Sequence, residues 1–449
     1  MLFGYHHLLT LMIEYIFLCI FVAYVGALLY IKMQSPFWFH HPVHHIYMIY
    51  PRTFGYWSRP YSLKSVSQIS KPNLYSDFFH VHTYSYVDLN TDQKQKFLRL
   101  LQAHYVDSSD AFLYDISVKA LDLFHSGQKH PSFVSMYFPE KLQETRTATS
   151  SFALSTQFQT EPVACMTSHC QYIWFPKWHS HMSSSESSVH PPSFSIPIYV
   201  WDYICTHPEY RDKHISRNVI QTHISRQYTQ VPSVEACIFK KEVTTCSGVV
   251  PLVIYPTYTF FIRKTPISKL PLGYKIKRIE SRTINAWIEW YTEIPQIQTY
   301  FDVCLMPSLS NTTECIEKET HYVLFLVSIV KGKETIKGLY IFKDMYTIWD
   351  QPDNELPQKR TIQCVSSICF DMSETLYFFR GFLHCIKELY YLKRDYGVLS
   401  IEHNSHNYLL LDRWKEKYPM HMSTSTAYYL YNYVYPQSPI SAERFFVFG

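Results

Sequence analysis

The amino-acid sequence predicts an α/β protein whose body follows one apolar N-terminal helix. Residues 8–31 are apolar apart from Glu14, and the rest of the chain mixes helical apolar spacing with β-rich apolar runs. The first pattern is typical of helices and the second of strands. Hydrophobic residues make up 47% of the 449 residues. At roughly 150 residues per domain, this length corresponds to two or three domains.

The composition excludes several broad classes of protein. Charged residues are only 17% of the chain, and the net charge is +4 from 41 basic and 37 acidic residues. A disordered acidic or basic tail would have a much larger net charge and fewer apolar residues. The chain also lacks the concentrated basic face of a nucleic-acid binder, so we expect no nucleic-acid partner. With only 11 glycines, well below the usual ~7%, a glycine-rich phosphate loop is disfavoured.

The N-terminal segment is long enough to cross a membrane. Tyr15–Ile31 carries no charge, and about 20 apolar residues span a bilayer as a helix. The alternative is a cleaved signal peptide, whose apolar region is usually about 7–15 residues long after a basic leader. Basic residues follow the segment, at Lys32, Arg52, Arg59 and Lys64. The positive-inside rule then predicts a membrane-anchored protein with a cytosolic body.

Cysteine and histidine usage predicts neither disulfides nor a metal. The eleven cysteines are odd in number and contain no CxxC pair, unlike a zinc site or a disulfide framework. We expect them to be reduced and mostly buried. The His40–His45 run lies in a segment broken by Pro42 and lacks the spacing of metal ligands.

The order of elements can be predicted along most of the body. Residues 36–75 predict an extended lead-in, Trp178–Pro192 a surface loop, and Glu161–Phe175 a strand. Helices are predicted at Asp92–Leu101, Ile116–Phe124 and Leu376–Lys393. Further strands are predicted at Tyr322–Val330, Lys337–Phe342, Ile362–Phe370, Tyr428–Tyr435 and Phe445–Gly449.

The most informative segment is a strand that leads into a helix through a basic turn. Residues up to Thr206 are β-rich and nearly uncharged, Pro208 ends the strand, and helical spacing begins at Ile215. The junction carries Arg211, Lys213, His214 and Arg217. A helix start offers free N–H groups and a positive dipole end, so this turn predicts an anion site. A solvated basic helix start is the alternative.

This segment resembles a known family. Asp202–Ser216 is similar to the acyl-CoA motif of the GNAT superfamily, and more closely to the corresponding stretch of eukaryotic N-myristoyltransferases. Other stretches resemble that family in the same order and extend the likeness over roughly residues 50–449: Phe54–Trp57, Leu100–Asp115, Pro162–Phe175, Tyr428–Pro436 and Ala442–Gly449.

The resemblance implies an α/β fold of two GNAT-like halves related by internal pseudo-symmetry, preceded by one transmembrane helix. The implied divisions are an anchor at 8–31, a lead-in with an acyl-CoA clamp at 36–75, an acyl-CoA-binding half at 76–255 and a peptide-binding half at 256–449. It implies transfer of a myristoyl group from myristoyl-CoA to the N-terminal glycine amine of proteins. Acyl-CoA is then a co-substrate, with no permanently bound cofactor, and we expect a monomer.

The resemblance also implies roles for individual residues. The Gly449 carboxylate would be the base, and the backbone N–H groups of Tyr203 and Ile204 would form the oxyanion hole. The acyl-CoA contacts would come from Phe54, Gly55, Tyr56, Trp57, Cys205, Thr206, Arg211, Asp212, Lys213, His214, Ile215 and Ser216.

Several positions depart from the family pattern. Asp202 replaces an asparagine and is a second candidate base, Phe239 stands in place of a threonine that helps hold the peptide amine, and Ile262 replaces a histidine of the groove. A nucleophilic Cys205 with His207 nearby is a further alternative, although no orienting acid is placed beside them. At the level of function, the alternatives are a short-chain GNAT acetyltransferase and a catalytically weak scaffold that binds acyl-CoA or peptides.

Overall fold

The structure is a computed structural model that describes residues 2–48, 59–106, 112–139, 161–176, 194–262, 269–292, 300–349, 359–393 and 395–449. The expected aromatic clamp Phe54–Trp57 and the expected loop Trp178–Pro192 lie outside these residues.

The described helices and strands alternate along the chain as the sequence predicts. The α-helices are α1 (Leu2–Gln34), α2 (Pro36–Phe39), α3 (Val66–Ile69), α4 (Thr91–His104), α5 (Val118–His125), α6 (Ile215–Gln230), α7 (Ile284–Thr292), α8 (Leu309–Glu317), α9 (Thr375–Leu392) and α10 (Asn407–Lys415). The strands are β1 (Tyr61–Ser62), β2 (Val81–Ser85), β3 (Phe112–Tyr114), β4 (Phe133–Tyr137), β5 (Ala164–Phe175), β6 (Phe194–Thr206), β7 (Ala236–Glu242), β8 (Val253–Phe261), β9 (Tyr274–Arg278), β10 (Val303–Pro307), β11 (His321–Val330), β12 (Lys333–Trp349), β13 (Lys359–Cys369), β14 (Tyr396–Glu402), β15 (Met420–Tyr431), β16 (Tyr433–Val434) and β17 (Phe445–Val447).

One mixed sheet of fifteen strands runs through the whole body. Its order is β17-β10-β5-β6-β7-β15-β8-β14-β13-β12-β11-β9, with β4 beside β5, β2 beside β4 and β3 beside β12. The last strand, β17, pairs with β10 in parallel, so the chain terminus is carried into the sheet. The expected division between residues 255 and 256 lies inside β8, which pairs with both β15 and β14.

The two faces of the sheet can be distinguished by the alternation of side chains along each strand. On β7, Ala236 and Ile238 belong to a core cluster with Phe446 and Phe448, whereas Cys237 belongs to a cluster with residues of α6. We call the face that carries Ile238 and Phe448 the inner face. Helices α6, α9 and α10 contribute to clusters on the other face, whereas Trp287 and Trp290 of α7 belong to the inner-face cluster.

The N-terminal helix α1 is exposed over most of its length. Leu11–Gln34 is long and apolar enough to span a membrane by length and composition, and none of its most apolar stretch is buried against the body. Its last turn does contact the body, since Ile31 is 5% exposed and lies against Gly248. A Cβ on Gly248 would come within 2.6 Å of Ile31 Cγ2. The helix is therefore fixed to the body at its C-terminal end.

The lead-in is more closely packed than the sequence predicts. His41, Val43 and His45 are almost fully buried, and Val43 bridges to Tyr431 of β15. A histidine ring can be buried in neutral form, and burial lowers the pKa of His41 to about 3. The abundance of Pro and His in the lead-in therefore indicated irregular backbone but not exposure to solvent.

The cysteine prediction is confirmed. All eleven thiols are free, and all except Cys19 of α1 are buried.

Candidate active site

A fork between two neighbouring strands opens the sheet near the predicted acyl-CoA motif. Strand β6 pairs in parallel with β7 only from Ile198 to Trp201, although β6 runs on to Thr206 beside β5. Beyond Trp201, β6 is therefore no longer paired with β7.

A β-bulge lies directly beyond this fork. Thr167 pairs with Asp202 and Cys165 with Cys205, so Tyr203 and Ile204 stand opposite one residue of β5. Tyr203 has a φ of 49°, a left-handed conformation that is unusual for an aromatic residue. Such bulges redirect backbone groups and occur next to active sites. The bulge falls on the two residues predicted to form the oxyanion hole.

The Asp202 carboxylate accepts a hydrogen bond from Tyr203 N, one of the two N–H groups predicted to form the oxyanion hole. Its Oδ1 accepts a hydrogen bond from Tyr203 N at 2.7 Å and another from Tyr105 Oη at 3.2 Å. Burial and the Asp202 charge raise the pKa of the Tyr105 phenol well above its usual value. The Tyr105 hydroxyl therefore stays a donor, and Asp202 is held against the bulge.

The basic turn after β6 keeps an open helix terminus. Arg211, Lys213 and His214 are all exposed, and His214 precedes α6 without giving it a side-chain cap. Asp212 and His214 both have left-handed backbone, with φ of 63° and 62°. Lys213 Nζ lies 4.7 Å from the centre of the Tyr210 ring. The arrangement suits a phosphate group.

The chain terminus lies inside the protein. Phe448 N donates to Leu305 O of β10 at 3.0 Å, and Phe446 and Phe448 are each 1% exposed. Gly449 has a φ of 111°, and a Cβ there would meet Val365 at 3.3 Å. Glycine is the residue that tolerates this conformation and this close contact.

The side chains of Lys343 and His321 lie beside the terminus on the inner face. Lys343 of β12 stands directly opposite His321 of β11, so both project to the same side of the sheet. The Lys343 Cδ is 3.6 Å from the Cβ position of Gly449, and the His321 ring stacks on Phe448. Burial lowers the pKa of His321 to about 3, although the backbone oxygen of Gly449 opposes this shift. The imidazole is therefore neutral beside the carboxylate.

The electrostatic environment links Lys343 to the bulge. Burial lowers the pKa of the Lys343 ammonium, whereas the charge of Asp202 raises it. Lys343 Nζ is 5.6 Å from the centre of the Phe124 ring, and that ring is 5.3 Å from the Tyr203 ring. Gly449, Lys343 and the bulge at Asp202 and Tyr203 therefore border one site.

A second charged cluster is centred on Lys240 of β7, whose charge acts on Lys343. Lys240 Nζ lies 2.8 Å from Glu402 Oε1 and 2.8 Å from Glu242 Oε1, and Tyr255 Oη donates to Glu402 at 2.6 Å. Burial disfavours the ammonium, but the two carboxylates outweigh it and hold the pKa of Lys240 well above its usual range. Lys240 also lowers the pKa of Glu242. Lys240 and Glu242 therefore both stay charged near neutral pH.

The whole architecture is similar to solved structures of one enzyme. No protein-family model matches the sequence, and no curated protein matches it. Saccharomyces cerevisiae N-myristoyltransferase with bound myristoyl-CoA matches with a TM-score of 0.62 and 14% identity, over 91% of this chain and 94% of that chain. The same yeast enzyme with bound myristoyl-CoA and inhibitors gives a TM-score of 0.64 and 13% identity, over 93% of this chain and 95% of that chain.

This chain has the N-myristoyltransferase fold. The resemblance stated from the sequence is confirmed at the level of fold, and it extends over about nine tenths of the chain.

The structure brings most of the predicted site residues together in two neighbouring groups. Gly449, Asp202 and Tyr203 border the site described above, and Cys205 continues β6 from the bulge toward the basic turn. The turn residues from Arg211 to Ser216 lie at the start of α6.

Two expected positions need correction. Phe239, expected in place of the threonine that holds the peptide amine, stacks on Trp38 at 5.1 Å and on Trp201 at 5.4 Å, on the face opposite the terminus. Its neighbour Lys240 faces the site instead, because side chains alternate along β7. Ile262 lies in the core cluster packed by α9, away from the inner face.

Sequence reasoning missed Lys240, Lys343 and Glu402. Lys240 follows the buried Ile238 on the inner face of β7, and Lys343 follows the buried Ile341 on the inner face of β12. A charged residue at an inward position of a buried strand was the signal that could have identified them.

Proposed function

We propose that this chain is an N-acyltransferase that moves a myristoyl (C14) group from myristoyl-CoA to the amine of an N-terminal glycine. The observation that carries the proposal is the position of the chain terminus. Gly449 follows the buried Phe448 and lies beside Lys343, whose Nζ faces the Phe124 ring that in turn contacts Tyr203 of the β-bulge. The yeast structures of the same fold contain myristoyl-CoA, which supports an acyl-CoA co-substrate.

The acyl-CoA lies with its phosphates at the basic turn. Arg211, Lys213 and His214 supply exposed positive groups, and the uncapped start of α6 supplies N–H donors from Ile215 and Ser216. Asp212 places a negative charge in the same turn and weakens phosphate binding. Cys205 and Thr206 then line the thioester, between the phosphate site and the bulge. From sequence resemblance alone, Phe54–Trp57 is assigned to acyl-CoA binding.

The oxyanion hole consists of backbone N–H groups of Tyr203 and Ile204. In this structure, Asp202 Oδ1 accepts a hydrogen bond from Tyr203 N. A substrate ammonium is a stronger partner for the Asp202 carboxylate than a neutral amide. Binding of the glycine end therefore draws Asp202 toward the ammonium and frees Tyr203 N for the thioester oxygen. This couples peptide binding to formation of the oxyanion hole.

The Gly449 carboxylate accepts the proton that the glycine ammonium must lose before attack. An α-carboxylate has an ordinary pKa near 3.5 and is a weak base toward an amine near 8. Proximity and the loss of water around both groups compensate in part. The amine then attacks the thioester carbon, and CoA leaves as the thiol.

A catalytically weak acyl-CoA-binding scaffold is the second candidate function. The observation that favours it is the hydrogen bond from Tyr203 N to Asp202, because an occupied donor cannot stabilise an oxyanion. In that case acyl-CoA binds at the basic turn and no transfer follows.

A transfer assay separates these candidates and the short-chain acetyltransferase. Full-length protein in lipid nanodiscs is mixed with myristoyl-CoA or acetyl-CoA and with a peptide beginning in Gly or in Ala. Mass spectrometry should find one myristoyl group on the N-terminal amine of the Gly peptide only. Binding without transfer supports the scaffold, and acetyl transfer that exceeds myristoyl transfer supports the acetyltransferase.

We also propose that α1 anchors the enzyme in a membrane with its body in the cytosol. The exposed apolar surface of Leu11–Gln34 supports this, as does Lys32 at its C-terminal end. Because Ile31 packs on Gly248, the anchor holds the body close to the bilayer surface. Myristoylated products are membrane-seeking, so they would be released next to the surface that they bind.

A further inference from the structure

The inner face contains a lysine that the proposed mechanism does not use. Lys343 lies at the middle of β12, where Leu339 and Ile341 before it on the same face are fully buried. Its side chain runs alongside Gly449, with Cδ 3.6 Å from the Cβ position of that residue. The side chain keeps some accessible surface, so it lines the site.

Lys343 differs from the other enclosed lysine of the site. Lys240 has carboxylate oxygens of Glu242 and Glu402 at 2.8 Å. Among the ion pairs between described residues, Lys343 has none. Its Nζ instead faces the ring of Phe124 at 5.6 Å. A lysine that is enclosed and has no paired carboxylate is the kind that loses its proton most readily.

The titratable groups around Lys343 come from several elements of the sheet and from α8. Burial lowers the pKa of its ammonium, Asp202 raises it, Lys240 lowers it, and Cys315 and Glu402 raise it. The charge of Lys343 in turn lowers the pKa of His169 and of His321. Both imidazoles are neutral because they are buried, so neither adds a second positive charge beside Lys343.

The proposed mechanism leaves a proton on a poor acceptor. Moving a proton from an α-ammonium near pKa 8 to an α-carboxylate near 3.5 is unfavourable by a factor of more than about ten thousand. A neutral lysine amine beside the carboxylate removes this difficulty, because the proton can pass on to a stronger base. A charged Lys343, in contrast, would repel the arriving substrate ammonium.

We infer that Lys343 is the second proton acceptor of this site and takes the proton of the glycine ammonium by way of the Gly449 carboxylate. This inference rests on the proposed transferase function. The N–H bond of the ammonium breaks, its electron pair stays on the glycine nitrogen, and the proton moves through Gly449 to the lone pair of Nζ. The resulting ammonium is then paired with the regenerated carboxylate. The second proton of the amine leaves with the CoA thiolate as CoA-SH, and Lys343 later releases its proton to water.

The test compares three full-length variants in nanodiscs with the wild type. K343M removes the amine and keeps the length, K343R keeps a permanent charge that cannot accept a proton, and K337M is the control. Lys337 lies on the same strand and is paired with Asp371 and Glu374 at the surface. Single-turnover transfer from preloaded myristoyl-CoA is measured between about pH 6 and 10, which covers the ordinary pKa values of α-amines and lysines.

We expect the wild-type rate to rise with pH through an ionisation below the ordinary lysine pKa. In K343M and K343R this ionisation should disappear and the rate should fall by about a hundredfold or more, the usual contribution of a general base. Acyl-CoA affinity should stay the same in both, and K337M should match the wild type throughout.

Each contrary result has a distinct meaning. Full activity and an unchanged pH profile in K343M overturn the role of Lys343 and leave the transferase proposal standing. A faster K343M also overturns it, since Lys343 would then be a counter-ion that suppresses the basicity of Gly449. Wild-type protein that transfers no acyl group overturns the proposed function and this inference together.

A second measurement tests the inference on the wild-type protein, in case K343M does not fold. The side-chain ¹⁵N resonances of lysine-labelled wild-type protein are titrated, and the Lys343 signal is assigned with K343R. A titration below the ordinary value near 10.4 supports the inference, and one at or above that value overturns it.

Discussion

The basic turn before α6 gives the most quantitative prediction. Replacing both Arg211 and Lys213 with alanine removes two exposed cations and leaves the backbone donors of the helix start in place. Because both side chains are exposed, each contact to a phosphate is worth about 1 kcal/mol, the upper end for solvent-screened pairs. Together they contribute about 2 kcal/mol, so the double variant should bind acyl-CoA about 30-fold more weakly.

The assay is a calorimetric titration of the full-length protein with myristoyl-CoA at low and at physiological salt. Screening should weaken wild-type binding more than binding by the variant, since the variant has lost the screened charges. A matched control replaces two exposed lysines far from this turn, Lys331 after β11 and Lys333 at the start of β12. Equal affinity of the double variant and the wild type, with the fold intact, would refute the phosphate assignment.

Three further predictions follow from single features of the structure. Asp212→Asn keeps a residue that tolerates the left-handed backbone and removes a negative charge from the turn, so acyl-CoA affinity should rise about two- to fivefold in the same titration; weaker binding would contradict this. Burial lowers the pKa of His223 to about 3, so the unfolded state takes up a proton first as the pH falls below 6.5, and the stability present above that pH is lost progressively down to about 3. At pH 5 this loss is about 2 kcal/mol, so the urea midpoint should fall between pH 7 and pH 5, and less so in His223→Gln; an equal fall in both proteins would exclude this residue as the cause. Protease added to sealed vesicles should digest the body if it faces the cytosol, and complete protection would reverse that assignment.

Asn311 cannot report on topology in the folded protein. Its Nδ2 donates to Ser126 O at 2.8 Å and to Leu123 O at 3.1 Å, and the residue is almost fully buried. Although the residue starts an N-x-S/T sequence, a glycan there would break the contact between α5 and α8. Protease accessibility is therefore the more informative measurement.

The elements of the body could be predicted because their apolar periodicity agrees with their tertiary environment. Asp92–Leu101 and Ile116–Phe124 correspond to α4 and α5, and Leu376–Lys393 corresponds to α9. The strands of the second half also follow their prediction, because buried strands are continuous apolar runs. The lead-in was misjudged because local composition does not show that buried neutral histidines can pack against a sheet.

The site could be predicted only where its residues are contiguous in sequence. The bulge and the basic turn follow one another within Asp202–Ser216, so a single stretch identified both. Lys343 and Glu402 reach the site from β12 and β14, and only the strand order brings them near Gly449. Phe239 was misplaced by one residue, and a shift of one residue on a strand moves a side chain to the opposite face.

The measurement that tests the central claim most directly concerns the end of the chain. One glycine added after Gly449 moves the α-carboxylate by one residue and keeps every side chain of the site. We expect the extended protein to bind myristoyl-CoA with unchanged affinity. Its single-turnover transfer to a Gly peptide should fall by about a hundredfold or more, the usual contribution of a general base. Asp202→Asn is measured beside it, because Asp202 is the competing base. If the extended protein keeps full transfer activity and Asp202→Asn loses it, the terminal carboxylate is not the base.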